Sequence, residues 1–131
     1  MFFENQHETL EKLIAKSADL TNKPFIHSVV NAGTDSEHNS DELDFTAKIL
    51  CRDTDGNRLA KYDLELELFR SNKDIVLVVS KLSFPDEPIL WSGIKTFWMD
   101  SCSGKKCPSP SYGSRLENLA TKVKTSIDLY L

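Results

Sequence analysis

Apolar and polar positions alternate with a period of two across the middle of the chain and with a period near 3.6 at its two ends. Leu10, Leu13, Ile14, Ser17/Ala18 and Thr21 recur at steps of three and four, while Glu8, Glu11, Lys12, Lys16 and Asp19 fall on the other side. This spacing predicts an amphipathic helix over Glu4–Leu20. Asn5 and Glu8 read as a capping box at its start, and Asn22-Lys23-Pro24 as its stop. At the other end Leu116, Leu119, Ala120, Val123, Ile127 and Tyr130 form a second apolar stripe. Ser114 and Glu117 form the capping box expected to open that helix.

Between the helices the pattern predicts five strands. The first is Phe25–Ala32, followed by a polar, acidic segment, Gly33–Glu42. The second, Leu43–Arg52, alternates most cleanly: Leu43, Phe45, Ala47, Ile49 and Cys51 oppose Asp44, Thr46, Lys48 and Arg52. Asp53-Thr54-Asp55-Gly56-Asn57 reads as a hairpin turn. The third strand, Arg58–Arg70, sets Ala60, Tyr62, Leu64, Leu66 and Leu68 against Lys61, Asp63, Glu65 and Glu67. The fourth, Ile75–Phe84, opens with five apolar residues, as expected of a central strand covered on both faces. The fifth, Ile89–Met99, carries Gly93, a mark of a bulge or close backbone approach. Asp100–Gly113 reads as an irregular loop. The fold class that follows is α+β: one domain over 1–131, a five-stranded antiparallel β-meander packed by an N-terminal and a C-terminal helix.

Composition fits this picture, with 40% hydrophobic and 27% charged residues. The net charge of −4 is uneven. Residues 1–66 hold 13 acids and 7 bases, whereas residues 67–131 hold 7 acids and 9 bases. Phosphate binding needs clustered Lys and Arg, so no nucleic-acid partner is expected. No apolar run reaches the roughly 20 residues of a membrane helix, so no membrane partner is expected either. The first residues, Met1-Phe2-Phe3-Glu4-Asn5, lack the basic and apolar regions of a secretory leader, and three cysteines are an odd count for a disulfide framework. A cytoplasmic location is the default that follows.

The chemistry-bearing motifs are sparse. Cys102 and Cys107 flank Lys105 and Lys106 in the long loop, a pattern that suits a reversible thiol pair. Four ligands for a structural zinc are not in evidence, so neither metal nor other cofactor is expected. Cys51 reads as a small buried hydrophobe. The turn at Asp53 superficially matches a calcium loop, but its twelfth position falls on Tyr62 rather than glutamate. Asp63, Glu65 and Glu67 share a strand face, which reads as a solvated surface before it reads as an acid/base pair. Nucleophile-elbow, phosphate-loop, dinucleotide and HExxH patterns are lacking.

Aromatic area concentrates on the fifth strand. Trp91, Lys95 and Phe97 share one parity, and Trp98 takes the other. An edge strand cannot bury both faces in one domain, so Trp91, Lys95, Phe97 and Trp98 are the candidate binding residues. The leading expectation is a non-catalytic module that binds a protein partner. One alternative is a small-molecule or lipid binder with an apolar pocket between sheet and helices. Another is a thiol redox protein using Cys102 and Cys107. Homodimerisation would protect an exposed edge. The size, acidity and helix–meander–helix order are loosely similar to small bacterial secretion chaperones and toxin-neutralising immunity proteins, a fold-level analogy that implies a protein partner.

Overall fold

The structure is a computed structural model that describes residues 4–34, 42–71 and 74–130. Helix α1 spans Glu4–Thr21 and helix α2 spans Gly113–Tyr130. Seven strands lie between them: β1 (Ile26–Thr34), β2 (Glu42–Arg52), β3 (Leu64–Ser71), β4 (Asp74–Lys81), β5 (Ile89–Ser92), β6 (Thr96–Met99) and β7 (Lys106–Cys107). They form one antiparallel sheet in strict chain order, β1 to β7. The α+β meander between two helices therefore stands, with seven strands in place of five.

Each extra element has a local cause. The expected fifth strand is a hairpin. Residues Gly93–Lys95 turn the chain, and Leu90 pairs with Trp98 while Trp91 pairs with Phe97. Beyond it, the loop after Asp100 folds back and adds β7 against β6. The Asp100 side chain accepts the N–H groups of Cys102 and Ser103, each at 2.9 Å, which sets up that return. The first part of the expected third strand is not a strand. Ala60–Tyr62 forms a 3₁₀ turn, and only Arg58 bridges to Arg52. Asp63 is drawn inward there by Arg58, which breaks the alternation that the sequence continues.

The two faces of the sheet differ completely. Phe45, Ala47, Ile49, Leu66, Leu68, Leu77, Val79 and Leu90 are fully buried on one face. Leu10, Ile14 and Ala18 of α1 and Leu116, Leu119, Ala120, Val123 and Ile127 of α2 complete that core. Helix α1 packs on β1 and α2, and α2 packs on β4 and β5, so both helices cover the same face. At roughly 1.5–3 kcal/mol for each large side chain, this burial is what holds the short helices in place. The opposite face carries Thr46, Glu67, Val78, Trp91, Phe97 and Met99, none of them fully buried. The apolar run of β4 is therefore covered by helices on one face only. On the other, Val78 is shielded by its cross-strand neighbour Trp91.

The hairpin between β2 and the 3₁₀ turn is built as the sequence predicts. Asp53 accepts the N–H groups of Asp55 and Asn57, and Gly56 takes φ +88°. Its carboxylate is occupied by the turn rather than offered to a cation, and the Asn57 N–H leads the bonds that hold it below the usual carboxylate range. The Glu8–Lys12 pair on α1 forms at 3.4 Å. The segment 35–41 and the Asn5 side chain lie outside the described residues.

Candidate functional site

The residues singled out in the sequence divide by sheet face. Trp91 and Phe97 stack on the open face, with ring centroids 6.2 Å apart and planes inclined by 24°. The Lys106 ammonium lies 5.1 Å from the Phe97 ring centroid, a cation–π contact that fixes the outer side of the pair. Trp98 belongs to the core instead. It is 5% exposed, and its indole N–H donates to Glu117 Oε1 at 2.9 Å. That bond also explains a second misreading, because the Glu117 carboxylate expected to cap α2 serves Trp98. Gly113 begins α2 directly beneath this ring. A methyl group there would meet Ser109 and lie 3.0 Å from Trp98.

Lys95 and Ile94 occupy the turn between β5 and β6. Ile94 is 94% exposed, an unusual position for a large apolar side chain. The turn is tied to α2, because the Lys124 ammonium donates to the Gly93 carbonyl at 2.7 Å. Around it runs an open groove of about 530 Å³ lined by Ile75, Val76, Trp91, Lys95, Phe97 and Lys124, among others. Lys124 and Val76 were not visible as site residues in the sequence. Lys124 reads there only as a cation near a helix C-terminus, and Val76 as one member of an apolar run.

A second concavity lies at the other end of the helix pair. A half-enclosed cavity of about 150 Å³ opens among Ala18, Asn22, His27, Tyr62, Lys81, Tyr112 and Arg115, floored by Leu64, Leu116 and Leu119. His27 is buried and fully satisfied. Its Nδ1 lies 2.9 Å from Asp19 Oδ1 and its Nε2 lies 3.2 Å from the Asn22 side-chain nitrogen. These partners assign the proton to Nδ1, leaving Nε2 to accept from Asn22. The Lys81 ammonium sits between two rings, 4.5 Å from the centroid of Phe84 and 4.4 Å from that of Tyr112. It lies 3.7 Å from Glu87. Among the described residues the Tyr112 hydroxyl is buried with no hydrogen-bond partner, as is Glu87 Oε2.

The remaining candidates fall elsewhere. Cys102 is exposed, Cys107 is half-buried in β7 against the core, and both are free thiols. Cys51 is a buried thiol; burial pushes it up from its ordinary value, and the nearby Asp63 carboxylate adds to the rise. Asp63 does not share a solvated face with Glu65 and Glu67. It is buried and takes two bonds from Arg58, at 2.9 and 2.7 Å, and one from the Cys51 N–H at 2.8 Å. Burial raises its carboxyl, but these bonds and the Arg58 charge outweigh burial and hold it below the usual range. Glu67 on the open face is raised, by burial first and then by Glu65 and Asp44. Among the described residues no three His, Cys, Asp or Glu side chains converge as metal ligands. No helix among them is long and apolar enough to cross a membrane.

A one-sided, helix-backed meander with an aromatic groove at one end and a half-enclosed cavity at the other defines a helix–meander–helix α+β protein. The chain belongs to the family described as Domain of unknown function (DUF8659), whose model matches residues 11–126. That match takes in all seven strands, every lining residue of the half-enclosed cavity, and every lining residue of the groove but Asp128. No curated protein and no solved structure matches the chain.

Proposed function

We propose that this is a non-catalytic binding module that engages a protein partner through the β5–β6 hairpin and the groove beside it. The observation that carries the reading is Ile94. A large apolar side chain stands 94% exposed at a hairpin tip that Lys124 holds to α2. Beside it the stacked Trp91 and Phe97 offer rigid aromatic area of the kind that dominates interface energetics. Lys95 and Lys124 stand at the rim with Asp74 and Asp128, a mixed-charge border that suits a partner surface with polar groups of both signs around an apolar centre. The reading includes a cytoplasmic setting, where the three free thiols would stay reduced. Self-association at a strand edge would use β1, since β5 lies inside the sheet and β7 at the far edge is only two residues long.

A photo-crosslinking amino acid placed at Ile94, and as a control at the exposed Asp86, tests this in cells of the native host. A discrete adduct is expected from position 94 alone, and it should vanish when Trp91→Ala is added. Equal labelling from both positions, or none from position 94, would remove the hairpin as the interface.

A second reading, ligand binding between sheet and helices, is favoured by the cavity around Tyr112. Its apolar floor and few polar groups resemble the lining of small-molecule sites.

A further inference from the structure

We infer that the cavity between α1, α2 and the sheet end is a binding site for a small organic monocarboxylate with an aromatic or short aliphatic body. The inference rests on the second reading above and names the ligand class; it is independent of the hairpin groove.

Size sets the first limit. A volume of about 150 Å³ suits a body of roughly six to ten non-hydrogen atoms, since a cavity of that order accepts benzene. The floor is apolar, formed by Ala18, Leu64, Leu116 and Leu119, with the Tyr62 and Tyr112 rings as walls. A flat or flexible hydrocarbon body is what such a surface accepts.

Charge sets the second limit. The lining contains two cations, Lys81 and Arg115, and no carboxylate. Lys81 is partly balanced by Glu87 at 3.7 Å and is pinned by its two rings. Arg115 has no ion-pair partner among the described residues, although its planar donor fork matches a carboxylate. His27 does not compete for this role, because Asp19 and Asn22 already occupy both ring nitrogens. The lining therefore selects an anion over a cation.

The third observation is the Tyr112 hydroxyl, buried without a hydrogen-bond partner among the described residues. Leaving such a donor unsatisfied is costly, and native structures seldom do so without a reason. A carboxylate held by Arg115, with the Tyr112 side chain turned toward it, would satisfy the guanidinium and the phenol together. A phosphate monoester would add a second negative charge, and either a phosphate or a sulfate ester adds more bulk and more acceptor oxygens than one free guanidinium and one phenol can serve.

The test uses the full chain with benzoate, phenylacetate and hexanoate, each beside its primary amide. Binding is read by calorimetry and by amide shifts of the lining residues. At least one acid should bind with Kd on the order of 100 µM, a reasonable strength for a ligand of about nine heavy atoms. Its amide should bind about tenfold more weakly. Arg115→Gln, at an exposed position, should weaken the acid about tenfold and leave the amide unchanged. Tyr112→Phe should weaken the acid while leaving the ligand-free melting temperature unchanged or higher, a pattern that a purely structural hydroxyl would not give. If acid and amide bind equally, the cavity takes ligands but the carboxylate assignment is wrong. If no compound of either kind binds at millimolar concentration, the ligand-binding reading falls with it.

Discussion

Trp98→Ala is expected to destabilise the protein by about 3–5 kcal/mol, the range for emptying a buried aromatic site. The side chain is 5% exposed, lies over Gly113 at the start of α2, and holds Glu117 through its indole. Removing it opens a cavity beneath the helix and leaves the Glu117 carboxylate without its donor. In a chain of this length the loss corresponds to roughly 10–15 °C in melting temperature. Trp91→Ala should cost only about 1–1.5 kcal/mol, chiefly the stacking with Phe97, because its face of the sheet has no helix over it. Thermal melts of the two variants, each with a dichroism spectrum to check the fold, measure the contrast. Equal losses would mean that the open face is packed as tightly as the core.

Asp63→Ala should cost about 3 kcal/mol, a large effect for a polar substitution. The carboxylate satisfies both ends of the Arg58 fork and the Cys51 N–H at once. Without it, Arg58 keeps only its bond to the Cys51 carbonyl at 2.9 Å, and a buried backbone donor in β2 loses its acceptor. The effect depends on pH with a definite sign. Because the folded-state pKa is lowered, the carboxylate contributes its full stability above the unfolded value of about 3.9. That contribution disappears as pH falls through the lower folded value. Urea denaturation at pH 7 and at pH 3 should show Asp63→Asn losing less stability on acidification than the wild type. An unchanged acid dependence would place the ion pair outside the energetics of the fold.

The parts of this fold that were legible in the sequence are those governed by local periodicity. In β2 and in β3 from Leu64 onward, alternation reports which face meets the helices, and the buried set matches it: Phe45, Ala47, Ile49, Leu64, Leu66 and Leu68. The helix stripes match at Leu10, Ile14 and Ala18 of α1 and from Leu116 to Ile127 of α2. Failures arise where a distant partner decides. Ala60 and Tyr62 continue the alternation of β3, yet the pull of Arg58 on Asp63 turns that stretch into a 3₁₀ turn. Ile89–Met99 reads as one strand because two four-residue strands and a three-residue turn preserve the apolar density. The apolar run of β4 reads as covered on both faces, because the sequence cannot distinguish a helix from the cross-strand Trp91 as its shield.

The candidate site was legible only in part, for the same reason. Trp91 and Phe97 line one groove, as their shared parity anticipates, because cross-strand pairing returns them to the same face, and Lys95 joins them from the turn between the strands. Trp98 has the opposite parity, and its partner Leu90 carries it into the core. The cavity around Tyr112 gathers residues from Ala18 to Leu119, spread over both helices, three strands and the 3₁₀ turn. No spacing along the chain connects them. Only the docking of both helices on one face brings Arg115 and Tyr112 to the ends of β1 and β4.

The central claim is that one face of the sheet is sealed by both helices while the other stands open with Trp91 on it. Acrylamide quenching of two single-tryptophan variants, Trp98→Phe and Trp91→Phe, tests it most directly. The variant that retains Trp91 should be quenched several-fold more efficiently, with red-shifted emission, and the variant that retains Trp98 should be nearly inaccessible. Matching quenching constants, or a Trp98 more accessible than Trp91, would contradict the two-faced sheet and remove the basis for the groove.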